Sequence, residues 1–81
     1  MIDIKIKKLH PNAVIPKYAK VGDAGMDLTA VEILDNCDLQ ITYDIGLAVE
    51  IPEGFVGLIF PRSSIKHKNL SLSNSVGVID S

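Results

Sequence analysis

The chain is a succession of short apolar stretches separated by turn-forming residues, and this pattern limits what it can fold into. Ile2, Ile4 and Ile6 alternate with charged residues, which places the three isoleucines on one face of a strand. Later apolar stretches are separated by glycine, proline, asparagine and aspartate, the residues that favour turns. No long amphipathic helical pattern interrupts them. The sequence therefore predicts an all-β sandwich or barrel of about six or seven short strands.

The predicted strands lie between strong turn signals. They cover residues 2–6, 28–30, 39–43, 46–51, 55–60, 70–72 and 76–79. The stretch from Phe55 to Phe60 is apolar almost throughout, which is typical of a strand that is buried on both faces or lies at a subunit contact. Pro61 and the two serines that follow Arg62 favour a single helical turn, because serine can cap free N–H groups.

Length, charge and cysteine content exclude several classes of protein. The 81 residues suffice for one domain only, and a formal net charge of -2 offers no general attraction to nucleic acid or to an anionic membrane. No apolar run approaches the ~18 residues that a membrane span needs. The single Cys37 is predicted to be a buried thiol in a reducing, cytoplasmic setting, and His10 and His67 are predicted to be solvated. We expect neither nucleic acid nor a membrane as a partner.

The segment from Asp23 to Leu28 contains two carboxylates, Asp23 and Asp27, on either side of Gly25. Two carboxylates at this spacing can bind a metal ion or hold its water ligands, since Mg²⁺ usually keeps several waters and few carboxylates. Aspartate and glycine are also the ordinary residues of turns, so the pattern alone favours a structural turn. Both interpretations stay open on this segment alone.

Arg62, Ser63 and Ser64 form a stronger candidate site. Arg62 is the only arginine of the chain, and its planar guanidinium can donate two parallel hydrogen bonds to phosphate oxygens. The two hydroxyls stand at the start of a predicted helical turn, where N–H groups also favour a phosphate. A capped surface turn with a solvated arginine is the alternative.

Residues 74–80 combine a turn and a strand, with an amide at one end and a carboxylate at the other. The side chain of Asn74 has donors and an acceptor side by side, which suits recognition of a base edge. Asp80 follows an apolar pair, where a strand reaches the surface and a carboxylate could serve as a general base. A turn-forming asparagine and a strand-terminating aspartate are the simpler interpretations of these two residues.

Taken together and in this order, the three segments resemble the first three signature motifs of the trimeric dUTPase family. Residues 24–28 resemble the first motif, residues 61–64 the second, and residues 74–80 the beginning of the third. The resemblance covers the whole chain, including the turn at residues 52–54. It implies that residues 1–81 are the N-terminal part of a single dUTPase domain, a jelly-roll-like β barrel that is incomplete at the C-terminus.

The resemblance also implies an activity and a role for each candidate residue. The family hydrolyses dUTP to dUMP and pyrophosphate with Mg²⁺, as a homotrimer whose subunits share the active sites. Asp80 matches the catalytic carboxylate that activates water, and Asp27 matches the residue that reaches Mg²⁺ through water. The substrate-binding matches, which contact phosphate or read uracil, are Arg62, Ser63, Ser64, Asn74 and Gly77.

The chain departs from the family pattern after the third motif. It ends at Ser81, before the tyrosine with which family members exclude ribonucleotides, and before motifs four and five. We therefore expect the isolated chain to be inactive or incomplete as an enzyme. Two alternatives stay open: a dCTP deaminase-like enzyme, which shares the fold and an Arg-Ser-Ser segment, and a non-catalytic nucleotide-binding or interaction fragment. A β fragment that binds no ligand is a third.

Overall fold

The computed structural model confirms the all-β class. It describes residues 2–81, except for the side chain of Lys66. In this part of the chain six short strands are found: β1 (Lys5–Lys8), β2 (Glu32–Asn36), β3 (Ile41–Asp44), β4 (Leu47–Glu50), β5 (Gly57–Ile59) and β6 (Gly77–Ile79). A 3₁₀ helix, Ser63–Lys68, lies between β5 and β6. No helix within residues 2–81 is long and apolar enough to cross a membrane.

The strands pair in twos, and the chain divides into two units. Among the described residues there are three two-stranded sheets, which pair β1 with β4, β2 with β3 and β5 with β6. The β2–β3 and β5–β6 pairs are antiparallel. The first unit is Ile6–Val49, and the second contains the residues before Ile6 and those from Glu50 onward. Asp27 belongs to the first unit, and the other predicted site residues belong to the second.

In the first unit, other side chains approach closely to Gly46, which precedes β4. Its φ of +67° is strained for other residues, and a Cβ here would lie 2.6 Å from the Cβ of His10 and 3.3 Å from that of Ala13. Ala13, 6% exposed, is the only buried hydrophobic side chain in the part of the chain that the structure describes. Glycine is therefore required at position 46 both for its backbone conformation and for space.

His10 takes part in the same packing. Its Nδ1 accepts a hydrogen bond from the Asn12 N–H at 3.0 Å, and its Nε2 lies 3.7 Å from the Oε2 of Glu32. The residue is half-buried. The prediction of a solvated surface histidine was therefore wrong for His10, because the turn that follows β1 folds the ring back onto the chain.

The β2–β3 hairpin contains a β-bulge. Ile33 pairs with Tyr43 and Asp35 with Thr42, so Leu34 is the extra residue on β2. All the residues of β2 are exposed. The bulge shifts the side chains that follow relative to the partner strand, so the hairpin does not keep a strict apolar and polar face.

Cys37 stands at the connection of this hairpin. Its N–H donates to the carbonyl of Gln40 at 3.0 Å, and its Sγ lies 3.5 Å from the same oxygen. The thiol is free and exposed. The prediction of a buried thiol was wrong, because the turn places Cys37 at the tip of the hairpin and not on a face that packs.

Glycine and isoleucine alternate across the β5–β6 pair of the second unit. Gly57 pairs with Ile79, and Ile59 pairs with Gly77. A Cβ on Gly57 would lie 3.3 Å from the Cβ of Ile79, and a Cβ on Gly77 would lie 3.3 Å from the Cβ of Ile59. Each glycine therefore leaves room for the isoleucine opposite it on one face of the ribbon.

The other face of the β5–β6 ribbon is apolar and open. Leu58 pairs with Val78 there, and the two residues are 51% and 61% exposed. Phe55 and Phe60, which flank β5, are exposed too. The strand is therefore shorter than predicted and is not buried on both faces, and the alternative interpretation as a subunit contact stays a prediction.

Two predicted strands do not form, and one strand was not predicted. Residues 28–30 and 70–72 have no strand partner in the structure. Residues 70–72 lie between Asn69 and Ser75, whose positive φ values of 54° and 61° turn the chain away from an extended course. The unpredicted strand, β2, carries three polar residues and a bulge, so it lacks the period of two on which the prediction depended.

Candidate functional site

The first predicted segment begins in a tight turn that uses Asp23. The Asp23 N–H donates to the carbonyl of Lys20 at 3.2 Å, and Gly22 between them has a φ of +90°, as in a type II turn. The carboxylate of Asp23 accepts a hydrogen bond from the Lys20 N–H at 2.9 Å and lies 3.9 Å from the Lys20 Nζ. These contacts favour the structural interpretation of Asp23 over a role as one of two metal-binding carboxylates.

Asp27 lies four residues beyond this turn. It is outside any strand or helix and is exposed. The described residues contain no group of three or more His, Cys, Asp or Glu that could enclose a metal ion. A single exposed carboxylate nevertheless suits Mg²⁺, which keeps most of its water ligands and takes others from phosphates. The donor set fits contact through water and not a closed metal site.

Arg62, Ser63 and Ser64 stand at the start of the 3₁₀ helix, as the predicted helical turn required. The Arg62 carbonyl accepts a hydrogen bond from the Ile65 N–H at 3.1 Å, which closes the first turn. All three of the predicted phosphate-binding residues are exposed. The helix has only six residues, so its dipole adds little, and the donors offered to an anion are the guanidinium and two hydroxyls.

The third segment begins in two consecutive turns. The Ser75 N–H donates to the carbonyl of Leu72 at 3.0 Å, and the Val76 N–H donates to the carbonyl of Asn74 at 2.5 Å. The second bond closes a γ-turn centred on Ser75, whose φ is +61°. The turn predicted at Asn74 is confirmed. Sequence reasoning missed the special role of Ser75, because serine, unlike glycine or asparagine, is no signal for a left-handed backbone.

Gly77 begins β6, and Asp80 follows its last residue. Gly77 is half-buried, and the close approach of Ile59 accounts for its missing side chain. Packing therefore explains Gly77 independently of any ligand. Asp80 is an exposed carboxylate just beyond the end of a strand.

The β5–β6 pairing brings two of the predicted segments to one end of the ribbon. Because the strands are antiparallel and Ile59 pairs with Gly77, the end of β5 lies beside the beginning of β6. Arg62 follows β5 and Asn74 precedes β6, so both segments leave the ribbon at this end. Asp80 lies at the opposite end of β6, about 10 Å from Gly77 at the ordinary rise of a strand.

Comparisons with known proteins identify relatives of this chain. A family model described as dUTPase matches residues 11–81. A deoxyuridine 5'-triphosphate nucleotidohydrolase of Escherichia phage T5 is 43% identical, over 96% of this chain and 57% of the relative. Proteins of the same name from Wolinella succinogenes and Helicobacter hepaticus are 42% and 46% identical, over 96% of this chain and 54% and 51% of the relatives. No solved structure gives a significant match.

The match contains every predicted site residue, from Asp27 to Asp80. The chain spans about half the length of the curated relatives it matches, 57% and 54% for the first two. The family resemblance of the sequence is thereby confirmed over nearly all of these 81 residues. The chain belongs to the dUTPase family.

Proposed function

We propose that this chain acts in a dUTP diphosphatase, an enzyme that hydrolyses dUTP to dUMP and pyrophosphate. The observation that carries the proposal is the occurrence of all three motif-like segments, in order, inside the region that matches the family. The relatives are named for the hydrolysis of deoxyuridine triphosphate. The geometry adds that the Arg62 segment and the Asn74 turn leave the β5–β6 ribbon at the same end.

Asp80 is proposed as the general base. Its carboxylate is exposed at the end of a strand, so it can orient and deprotonate the water that attacks the α-phosphorus. The bond that breaks joins the α-phosphorus to the oxygen that bridges to the β-phosphorus. Pyrophosphate leaves with that oxygen, and the proton of the water passes to Asp80.

Arg62, Ser63 and Ser64 are proposed to bind the phosphates. The guanidinium can donate two parallel hydrogen bonds, and the hydroxyls of the first helical turn add single donors. Their exposure at the start of the 3₁₀ helix supports this role. Such donors would stabilise the negative charge that gathers on the leaving pyrophosphate.

Asn74 and Gly77 are proposed to read uracil, together with the main chain from Val76 to Val78. An amide side chain offers both donors and an acceptor to a base edge. Cytosine presents an amino group where uracil presents the O4 carbonyl, so a site matched to uracil would leave polar groups unpaired against cytosine. A deaminase that acts on dCTP would need the opposite preference.

Asp27 is proposed to bind Mg²⁺ through water. Magnesium, when bound with the nucleotide, neutralises charge on the phosphates. The carboxylate of Asp27 would orient water ligands of the ion, and its exposure is compatible with that contact.

We also propose that the enzyme is a cytoplasmic homotrimer. Support for assembly comes from the exposed apolar face of the β5–β6 ribbon, since large exposed apolar surfaces usually mark contacts with other chains. The exposed free thiol of Cys37 suits a reducing compartment.

Calorimetric titration of the purified chain with a non-hydrolysable dUTP analogue and Mg²⁺ tests the proposal. The matching dCTP analogue is the control, and a third titration replaces Mg²⁺ by a chelator. We expect uptake of the uracil nucleotide that is at least about tenfold stronger than that of the cytosine nucleotide and that weakens without the metal. Equal binding of both nucleotides, or preference for dCTP, would contradict the proposal.

A further inference from the structure

Ser75 occupies a costly backbone conformation at the point where the proposed uracil-reading turn joins β6. Its φ of +61° lies in the left-handed region, which glycine enters freely and other residues enter at a cost. The γ-turn centred on it is of the rarer, strained kind. A glycine would form the same turn at a lower energetic cost, so the turn is less stable with serine than it would be with glycine.

The γ-turn ties up a donor of the recognition segment. The Val76 N–H donates to the Asn74 carbonyl at 2.5 Å, so it has no further proton to offer. This N–H lies two residues along the chain from Asn74, which is exposed. As long as the γ-turn is closed, a base that approaches Asn74 meets an N–H already bonded within the chain.

We propose that Ser75 is a positioning residue whose strain favours opening of the γ-turn when the nucleotide binds. A rotation of Ser75 to negative φ would relieve the strain and break the bond between Val76 and Asn74. The released N–H would then donate to a carbonyl oxygen of the base. This inference rests on the proposed binding of uracil nucleotides, and it adds that the closed turn is a state that the nucleotide must displace.

Three single substitutions in the 81-residue chain test the inference. Ser75→Gly removes the strain and stabilises the closed turn, whereas Ser75→Ala keeps the Cβ, and with it the strain, but loses the hydroxyl. Asn69→Gly is the matched control, because Asn69 also has a positive φ, 54°, but lies at the end of the 3₁₀ helix and not in the turn.

Two measurements report separately on the stability of the closed turn and on the affinity for nucleotide. Amide hydrogen exchange without nucleotide reports the γ-turn through the Val76 N–H, and we expect it to slow about threefold or more in Ser75→Gly only. Calorimetric titration reports affinity for the dUTP analogue. We expect this affinity to fall about three- to tenfold in Ser75→Gly, because the nucleotide must open a closed turn that glycine has made more stable. Ser75→Ala and Asn69→Gly should bind like the parent chain.

The outcomes distinguish this inference from the proposed function. If the parent chain does not select the uracil nucleotide, the proposed function fails and the inference fails with it. If the parent chain binds selectively but Ser75→Gly binds as tightly or more tightly, the inference alone is overturned. An equal loss of affinity in Ser75→Ala and Ser75→Gly would assign the effect to the hydroxyl and overturn the role of the strain.

Discussion

Among single residues, Asp80 offers the most direct test of the proposed chemistry. In a form of the protein that hydrolyses dUTP, Asp80→Asn should abolish release of pyrophosphate, because an amide cannot accept the proton of the attacking water. Affinity for the dUTP analogue should stay within about tenfold, since the shape of the side chain is kept. Pyrophosphate release and calorimetry measure the two quantities.

The control for this substitution is Asp38→Asn at the connection of the β2–β3 hairpin, which changes the net charge by the same amount in the other unit. It should leave both quantities unchanged. A loss of binding in Asp80→Asn as large as the loss of turnover would remove Asp80 from the role of general base and make it a binding residue.

Gly46 gives a prediction on folding that is independent of function. Gly46→Ala places a Cβ within 2.6 Å of the His10 Cβ at a φ of +67°, so we expect a loss of about 2 kcal/mol or more in the stability of the first unit. The Leu9 N–H, which donates to the Gly46 carbonyl at 2.7 Å, should exchange faster with solvent. Gly25→Ala is the control, because a Cβ there meets no atom within 4 Å.

At the scale of elements, a substitution in the β5–β6 ribbon can distinguish a packing role of Gly77 from a role in binding. Gly77→Ala brings a Cβ to 3.3 Å from that of Ile59, so the ribbon should loosen and its amides should exchange several-fold faster than in the parent chain. Weaker nucleotide binding would then follow from the loosened ribbon. Unchanged amide exchange with weakened binding would contradict the packing role and point to direct contact of the base with Gly77.

The elements that the sequence predicts best are apolar stretches that lie between turn residues. Residues 39–43, 46–51 and 76–79 each contain most of an observed strand, and turn residues mark their ends. The first strand begins later than predicted, at Lys5, although the alternation of isoleucines starts at Ile2. The alternation shows which side chains share a face. A strand also needs a partner with which to form hydrogen bonds, and the local sequence does not show which segment that partner is.

The sequence indicates which residues are candidates for the site, but it does not show how they are arranged in space. Arginine, asparagine and aspartate are visible in the sequence, and their order carries the family resemblance. That Arg62 and Asn74 leave the same end of one ribbon follows only from the pairing of Ile59 with Gly77. The strain at Ser75 and the use of Asp23 within its own turn depend on backbone angles that residue types do not specify.

For the molecule as a whole, the open face of the β5–β6 ribbon predicts self-association. Replacing Leu58 and Val78 by serine should weaken concentration-dependent association, because it removes apolar surface that partner chains would cover. Sedimentation velocity over a range of concentrations measures it. Leu39→Ser is the matched control, since Leu39 is 96% exposed but lies at the hairpin connection. An equal effect of the control would show that no particular face mediates association.

The scarcity of buried side chains also has a thermodynamic consequence. Unfolding raises the heat capacity mainly by exposing apolar surface, yet Ala13 is the only buried hydrophobic residue that the structure describes and most large apolar side chains already contact solvent. The chain alone should therefore unfold with a small heat-capacity change, a shallow dependence on urea and a broad thermal transition. A further segment or a partner chain that covers this apolar surface should sharpen the thermal transition. A cooperative transition would therefore indicate that the assembly is complete.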